Sequence, residues 1–256
     1  MSSASIRIDA LYKDFTTHRS GSTWRALENV NLRVAPGEFV TILGPSGCGK
    51  STLLNALSGL DTEYQGRVAI ERDGVLDEKA RVAYLFQEPR LLPWLTVRRN
   101  VEFALDAVGF PKSEWADRAD KWISLVGLKG FADFYPLQLS GGMQQRAAIA
   151  RAFAIEPEVL LMDEPFSALD ELTARRMRQE LLSLWEADRR TVLFVTHNSL
   201  EAVYLSDRIL IMKKGPGSHV CDEVVLAHLQ RPRIYEDPAQ VESQKDVLQR
   251  LMRHVS

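Results

Sequence analysis

Few cysteines, no excess of basic charge and no internal repeats separate this sequence from several classes of protein. Cys48 and Cys221 are its two cysteines in 256 residues, too few and too far apart for a disulfide framework or a zinc site, which favours a reducing cytoplasm. The 32 lysines and arginines are balanced by 34 acidic residues, so the net charge of −2 gives no basic field that would indicate nucleic-acid binding. With 45% hydrophobic residues, the chain can still build a packed core.

Long apolar runs are also missing. A helix that spans a bilayer needs about 20 apolar residues, whereas Val159–Met162 and Ile209–Met212 have the length of buried strands. The opening segment Met1–Asp9 is short, polar and alternating, which does not resemble a targeting signal. We therefore expect the protein to act from the aqueous side of any membrane.

Strand-like and helix-like segments alternate along most of the chain. Ile6–Ala10 and Val30–Val34 alternate apolar with polar residues, which predicts an antiparallel β subdomain with a polar turn region, His18–Thr23, between them. The alternation that follows indicates an α/β fold with a mainly parallel sheet covered on both sides. The predicted strands are Phe39–Leu43, Val82–Phe86, Val159–Met162, Thr191–Val195 and Arg208–Met212, and the predicted helices are Thr52–Leu60, about Gly142–Ala154 and around Leu172–Ala187.

Amphipathic helices are predicted between Leu95 and Asp133, where Trp115 and Trp122 recur at helical spacing and are interpreted as core residues. In the later helix, the predicted buried face comprises Leu172, Met177, Leu181, Leu184 and Trp185. Beyond Gly215 the prolines break the pattern, and the sequence predicts little there. We expect one domain over residues 1–215, containing a helical subdomain at about 95–155, and a C-terminal extension over 216–256.

The first chemical motif is Gly44–Ser51, which fits the phosphate-loop pattern G-x-x-x-x-G-K-[ST] between a predicted strand and a predicted helix. Glycines let backbone N–H groups turn towards phosphate oxygens, and the helix N-terminus adds a positive dipole end. Lys50 is a point charge for the β- and γ-phosphates, and the Ser51 hydroxyl can ligate Mg²⁺. The predicted phosphate-binding residues are Gly44, Ser46, Gly47, Cys48, Gly49, Lys50, Ser51 and Thr52.

This loop indicates a nucleoside triphosphate and no more, because kinases, GTPases, motors and transporters share it. The helix dipole and Lys50 also predict that Cys48 is the more reactive of the two cysteines.

A second motif, Leu139–Gln145, begins a predicted helix with a serine hydroxyl and two glycines, and so offers another phosphate-binding end. Two such ends are more than one nucleotide needs. Leu139–Gln145 resembles the signature motif of ABC ATPases, a family in which the motif of one subunit closes over the ATP held by the other. The resemblance implies the ABC nucleotide-binding fold, an ATP-dependent homodimer, and nucleotide contacts from Ser140 and Gly142.

An apolar strand then leads to two adjacent acids, Asp163 and Glu164, at the carboxyl end where α/β sites lie. Asp163 is predicted to hold hydrated Mg²⁺. Glu164 is predicted to polarise the attacking water as a general base.

Shorter matches agree with the same family, and the resemblance covers about Ile6–Met212. Gln87 resembles the glutamine that touches Mg²⁺ and senses the membrane partner, Ser167–Asp170 resembles the loop that crosses the dimer interface, and His197 resembles the histidine that contacts the γ-phosphate. Phe15 best matches the aromatic that stacks on adenine, although Trp24 lies closer to the phosphate loop and either ring can stack on a base.

The segment Gln87–Val97, which contains Leu-Leu-Pro-Trp at 91–94, resembles the nitrate/sulfonate/taurine importer branch. The resemblance implies a peripheral subunit on the cytoplasmic face of the inner membrane. Its implied partners are integral membrane permease subunits and, indirectly, a periplasmic or lipid-anchored substrate-binding protein. The same apolar segment is also interpreted as a surface that docks a partner helix.

Two alternatives remain open. A soluble, non-transport ABC ATPase of DNA repair or translation usually carries tandem cassettes or long coiled-coil insertions, which this sequence lacks. A small-molecule kinase built on the phosphate loop would lack Leu139–Gln145.

Overall fold

The structure is a computed structural model that describes residues 4–16 and 22–255, so positions 18–21 of the predicted turn at His18–Thr23 lie outside the described residues. The strands are β1 (Ser5–Thr16), β2 (Thr23–Val34), β3 (Phe39–Leu43), β4 (Gln65–Arg72), β5 (Val75–Leu76), β6 (Val82–Leu85), β7 (Val159–Asp163), β8 (Thr191–Thr196), β9 (Arg208–Met212) and β10 (Val220–Val225). The helices are α1 (Lys50–Leu57), α2 (Val97–Ala107), α3 (Lys112–Leu125), α4 (Gly141–Ala154), α5 (Glu171–Ala187), α6 (Ser199–Leu205) and α7 (Pro238–Val255), with 3-10 turns at Lys129–Phe131 and Pro136–Gln138.

The chain divides into two compact units. One comprises the described residues up to Glu78 and from Arg189 onward, and the other comprises Lys79–Asp188. The α/β fold class predicted from the sequence is confirmed, with parallel strands, an antiparallel sheet and helices. The boundaries predicted at 95–155 and at 215 stay predictions.

The first unit contains both an antiparallel sheet and parallel strands. The antiparallel sheet has the order β2-β1-β4-β5, and its alternating residues Ile6 and Ile8 face the core, as the period-2 pattern predicts. β3 pairs in parallel with β8 on one side and β9 on the other, and β10 adds antiparallel to β9. Every residue of β3 and β8 is buried, which explains their continuous apolar sequences.

Helix α1 begins two residues earlier and ends three residues earlier than the sequence pattern predicts. Its end is local, because Ser58 is the C-cap and Gly59 follows with φ +74°, the left-handed conformation that closes many helices.

The C-terminal residues of the first unit form a strand, β10, and a helix, α7, although their prolines interrupt the sequence pattern. Helix α7 and the segment before it bury Leu226 and Val247 against Leu43 of β3 and against Ala202 and Val203 of α6. The local spacing of apolar residues does not reveal packing between distant segments, so the sequence pattern predicted neither β10 nor α7.

The second unit pairs β6 in parallel with β7 and also contains helices α2 to α5. The prediction for Trp122 is confirmed, because its ring is buried 5.2 Å from that of Phe153. The prediction for Trp115 is wrong: its ring is only half-buried, and its indole N–H donates to the Phe110 carbonyl at 2.8 Å.

The predicted face of α5 needs two corrections. Met177, Leu181 and Trp185 are buried as predicted, but Leu172 is 75% exposed because it lies in the first turn of the helix. Leu184, also predicted to be buried, is only half-buried. Ala174, Arg178 and Leu182 complete the buried face instead.

Among the residues that the structure describes, no helix combines the length and the apolar character that crossing a membrane requires.

Candidate functional site

The phosphate loop follows β3 directly, at the carboxyl end of a buried parallel strand. The loop ends where α1 begins at Lys50, with Gly49 as the N-cap. Gly49 has no side chain to cap the helix, and the first turn carries no acidic residue, so side chains of this turn do not neutralise its positive end. The loop can therefore present backbone N–H groups to a phosphate.

Two glycines of the loop are required by its geometry. Gly49 has φ +87°, and a Cβ there would lie 2.7 Å from Leu27 Cδ2. At Gly44 the backbone is ordinary, but a Cβ would lie 2.7 Å from the Met212 carbonyl oxygen and 2.8 Å from Cys48 Sγ. The loop glycines are thus needed for left-handed backbone at Gly49, and also at Gly47 with φ +79°, and for close packing at Gly44.

Lys50 folds back across the loop. Its side chain is only 5% exposed, and its Nζ donates to the carbonyl oxygens of Gly44 at 2.9 Å and Pro45 at 3.1 Å. These contacts hold the ammonium group at the centre of the loop. Ser51, the next residue, is exposed at the helix start.

The prediction that Cys48 is a reactive thiol is wrong, because its side chain is fully buried against the loop. Cys48 can contribute to phosphate binding through its backbone N–H, which here donates to the Pro45 carbonyl at 3.3 Å. Burial raises the pKa of the other cysteine, Cys221, above its ordinary value.

His197 lies at the same edge of the sheet as the phosphate loop. It follows β8, and β8 is the parallel neighbour of β3 with Thr196 opposite Leu43. The Gly44 N–H donates to the Thr196 carbonyl at 3.3 Å, so a hydrogen bond joins the loop to the residue before His197. The His197 side chain is exposed.

The two candidate stacking residues form a pair. Phe15 and Trp24 are opposite each other on β1 and β2, with ring centroids 6.4 Å apart and planes within 18° of parallel. Both rings remain accessible, at 43% and 47% exposure, so each can still contact a planar ligand. The structure therefore leaves the choice between them open.

Lys214 is a residue that sequence reasoning missed. Its Nζ lies 3.9 Å from the position a Cβ would take on Gly47, within the phosphate loop. The side chain is exposed and comes from the residues after β9. No local motif marks it, and only the pairing of β9 with β3 places this second cation beside the loop.

In the second unit, Asp163 ends β7 and is buried. The hydroxyl of Tyr84, on the neighbouring strand β6, donates towards Asp163 Oδ2 at 3.5 Å. Burial, and then the Asp163 charge, raise the pKa of Tyr84 well above its ordinary value. Tyr84 therefore stays protonated and can only donate to this carboxylate.

Gln87, Glu164 and Ser167 are brought together in the same unit. The Gln87 amide nitrogen donates to Ser167 Oγ at 3.4 Å, and Ser167 Oγ donates to the Glu164 carbonyl at 2.9 Å. The Ser167 N–H donates to that same carbonyl at 3.1 Å. Glu164 itself has φ +45°, which is costly for a residue with a Cβ, and these bonds hold its main chain there.

Ser140 is the N-cap of α4, and its hydroxyl accepts from the Met143 N–H at 3.4 Å. A Cβ on Gly142 would lie 3.4 Å from Leu169 Cδ2, so this helix start packs against the segment Ser167–Asp170. Asp170 then caps α5 by accepting from the Thr173 N–H at 3.0 Å. Hydrogen bonds from the Thr173 side chain, and then from its N–H, lower the pKa of the Asp170 carboxyl group.

The segment that presents Trp94 is held from two helices. The Asn100 side chain of α2 is fully buried and bonds the backbone of Leu92 at both its N–H and its carbonyl. The Arg151 guanidinium of α4 donates to the carbonyls of Pro89 and Arg90 at 3.0 and 2.9 Å. Asn100 also donates to the Leu95 carbonyl at 3.0 Å, so the backbone is fixed on both sides of Trp94, whose ring is 69% exposed to solvent.

Within the described part of the chain, histidine, cysteine and acidic side chains do not cluster in threes as a protein-only metal site would require. A site that takes most of its ligands from a nucleotide and water needs only one or two protein oxygens. The exposed Ser51 hydroxyl in the first unit and the buried Asp163 carboxylate in the second are each, taken separately, a hard oxygen ligand of the kind that Mg²⁺ prefers.

Comparisons with a family model, with related sequences and with solved structures indicate the same family. A family model described as ABC transporter matches residues 27–167. An uncharacterized ABC transporter ATP-binding protein of Methanocaldococcus jannaschii is 47% identical, over 89% of this chain and 84% of the relative. The aliphatic sulfonates import ATP-binding protein SsuB of Bacillus cereus is 42% identical, over 97% of this chain and 96% of the relative.

Solved structures agree. A dimeric ATP-binding cassette in a post-hydrolysis state, bound to ADP and phosphate, superposes with a TM-score of 0.76 and is 36% identical. The match covers 86% of this chain and 98% of that one.

Proposed function

This chain belongs to the ABC transporter family as an ATP-hydrolysing subunit, and from that premise we propose that it powers a prokaryotic importer of a small anion such as a sulfonate, taurine or nitrate. The near full-length likeness to an aliphatic sulfonate import ATPase carries the proposal. It acts at the cytoplasmic face of the inner membrane through separate permease subunits, which a substrate-binding protein supplies with cargo.

The loop residues bind the triphosphate. Backbone N–H groups from Ser46 to Ser51, including that of Cys48, surround the phosphate oxygens, and Thr52 adds another at the helix start. Gly44 contributes the close packing that the start of the loop requires. Lys50 is already held at the centre of this loop, so it meets the β- and γ-phosphates without reordering. Phe15, beside Trp24, stacks on the base.

Ser51, Gln87 and Asp163 are the residues that would hold Mg²⁺ with the nucleotide. When bound, the ion neutralises charge on the β- and γ-phosphates. Tyr84 donates to one Asp163 oxygen and so orients the carboxylate.

Glu164 accepts a proton from the attacking water. Its carbonyl, fixed by two hydrogen bonds from Ser167, sets the direction of the side chain. His197 donates to the γ-phosphate as charge develops there.

Two copies of the chain complete two sites. Ser140 and Gly142 lie at a helix start that can bind phosphate, and the facing copy supplies the loop. The fixed Leu92–Trp94 segment offers an apolar docking surface for a helix of a permease subunit. We propose the domain limits already given, 1–215 with a helical subdomain at about 95–155, followed by 216–256.

Growth of a deletion strain tests the cargo class. Removing the gene should abolish growth on an alkanesulfonate or taurine as sole sulfur source, or on nitrate as sole nitrogen source, while growth on sulfate and ammonium continues. A wild-type copy should restore growth, and a Glu164→Gln copy should not.

Unchanged growth under all three limiting conditions would contradict the importer proposal. Co-purification from solubilised membranes distinguishes the importer proposal from the alternative of a soluble, non-transport ABC ATPase. A transporter subunit should co-purify with a pair of integral membrane proteins, and a soluble ABC ATPase should not.

A further inference from the structure

Helix α6 begins directly beside His197. Asn198 is its N-cap, and Asn198 Oδ1 accepts from the N–H groups of Leu200 at 2.9 Å and Glu201 at 3.4 Å. The Thr196 hydroxyl donates to Glu201 Oε2 at 2.6 Å and accepts from the Asn198 N–H at 3.0 Å. Thr196 and Glu201 are both buried. The residues on either side of His197 are therefore fixed to the first turn of α6.

The other end of α6 is held by a segment near the C-terminus. Arg231 Nη2 donates to the Leu205 carbonyl at 3.0 Å and to Asp207 Oδ1 at 2.9 Å. Arg233, which is buried, donates to the Val203 carbonyl. The last carbonyls of a helix lack partners within it, so these arginines supply both hydrogen bonds and favourable charge.

A ring contact strengthens this end. Tyr204 of α6 stacks on Tyr235 with centroids 3.8 Å apart and planes 1° from parallel. Beneath them, Val247 of α7 is fully buried with Ala202 and Val203. Helix α6 has only seven residues, too short to hold its position by itself, so these contacts determine where it lies.

We propose that Arg231, Arg233 and Tyr235, here called the α6 brace, are positioning residues for hydrolysis that act through α6 on His197. The inference rests on the proposed role of His197 and assigns a task to the C-terminal extension. If the brace is loosened, α6 can tilt and carry Asn198 and the side chain of Thr196 with it, while the Thr196 carbonyl stays in β8 and keeps its hydrogen bond with the Gly44 N–H. The phosphate loop keeps its own contacts, including those of Lys50. Loss of the brace should thus lower kcat and leave the KM for ATP unchanged.

Tyr235 offers a matched pair of variants. Tyr235→Ala removes the ring that stacks on Tyr204, whereas Tyr235→Phe keeps it. In the purified full-length protein, Tyr235→Ala should lower kcat about tenfold or more, because misplacing a catalytic group by about 1 Å costs up to about 100-fold. Tyr235→Phe should match the wild type in kcat.

A double-mutant cycle separates this role from simple loss of stability. If the brace acts through His197, Tyr235→Ala should cause no further loss of kcat in a His197→Ala background. Where Tyr235→Ala does not fold, judged by circular dichroism, Arg231→Ala takes its place, and Arg231→Lys should restore part of kcat because lysine can still donate to the Leu205 carbonyl.

The possible results distinguish failure of this inference from failure of the proposed function. The inference would be overturned by additive losses of kcat in the double mutant, or by a raised KM with unchanged kcat. It would also be overturned by wild-type turnover in Tyr235→Ala and Arg231→Ala, or in His197→Ala. Absence of ATP turnover in the wild-type protein would instead overturn the proposed function.

Discussion

Glu164 combines a proposed chemical role with a backbone conformation that costs about 1–3 kcal/mol for a residue other than glycine. Two hydrogen bonds from Ser167 to its carbonyl retain that conformation. The direction of the carboxylate therefore depends on the main-chain conformation as well as on the side-chain rotamer. Such a fixed direction suits a group that must accept a proton from one water molecule.

Replacing Glu164 by glutamine tests the proposed general base. The size of the side chain is kept while the proton acceptor is lost, so turnover should fall about 10²–10⁴-fold with ATP affinity unchanged. Single-turnover hydrolysis and equilibrium ATP binding, measured on the same preparation, check both parts. Glu242→Gln, at an acid of α7 whose side chain is 79% exposed, is the control and should turn over normally. Rapid hydrolysis by Glu164→Gln would remove Glu164 from the mechanism.

Lys214 should add to ATP affinity through charge. Lys214→Ala is expected to raise the KM for ATP about two- to fivefold, the range of an exposed ion pair, with kcat unchanged. The effect should shrink as salt is added. Lys213→Ala removes a neighbouring exposed lysine and serves as the comparison. Equal KM values for the two variants would argue against a specific contact.

At the residue scale, sequence reasoning can propose groups that occur in contiguous motifs but not those that strand pairing places beside them. The phosphate loop and the pair Asp163–Glu164 carry their chemistry within a few residues. Tyr84 and Lys214 do not, because each reaches its site only when its strand pairs with another. Cys48 was misjudged for a similar reason: sequence gives the dipole and the lysine but not the burial.

At the scale of elements, periodicity predicted those whose apolar pattern is strong. The fully buried strands β3, β7 and β8 were located within one residue at each end. The exposure of individual side chains was harder to predict. Leu172 has helical spacing but lies in the first turn of α5, where its side chain faces solvent. Helix α7 has a buried face that depends on α6, which no local pattern reveals.

The two tryptophans of α3 should differ in their contribution to the free energy of unfolding. Trp122→Ala removes a buried ring packed on Phe153 and should cost about 3–5 kcal/mol. Trp115→Ala removes a half-buried ring and one hydrogen bond, and should cost about half as much. Denaturant unfolding with a common slope measures both. Equal costs would show that the helix is packed differently.

At the scale of the whole molecule, Lys50 and Ser140 on one chain predict that function needs two copies. Ser140→Arg should leave ATP binding by a single subunit intact and abolish hydrolysis by blocking the facing site. Lys50→Ala should abolish hydrolysis from the other side. In a mixture, one composite site carries both changes and the other carries neither, so partial activity should return.

Mixed dimers must first be demonstrated, for example by differently tagged chains in the presence of ATP. If such dimers form and stay inactive, cross-linking of Ser140→Cys to a nucleotide on the facing chain decides the point. A cross-link within one subunit would rule out action across the interface.

The exposed indole of Trp94 also makes the molecule its own optical reporter. Its emission is expected at long wavelength and should be quenched readily by iodide, as should that of Trp24, which is 47% exposed. The buried rings of Trp122 and Trp185 should emit at shorter wavelength and resist the quencher. When a permease helix covers the Leu92–Trp94 segment, the quenchable fraction should fall and the emission should shift to the blue. A Trp94→Phe variant would abolish that response, so assembly can be followed without attaching a dye.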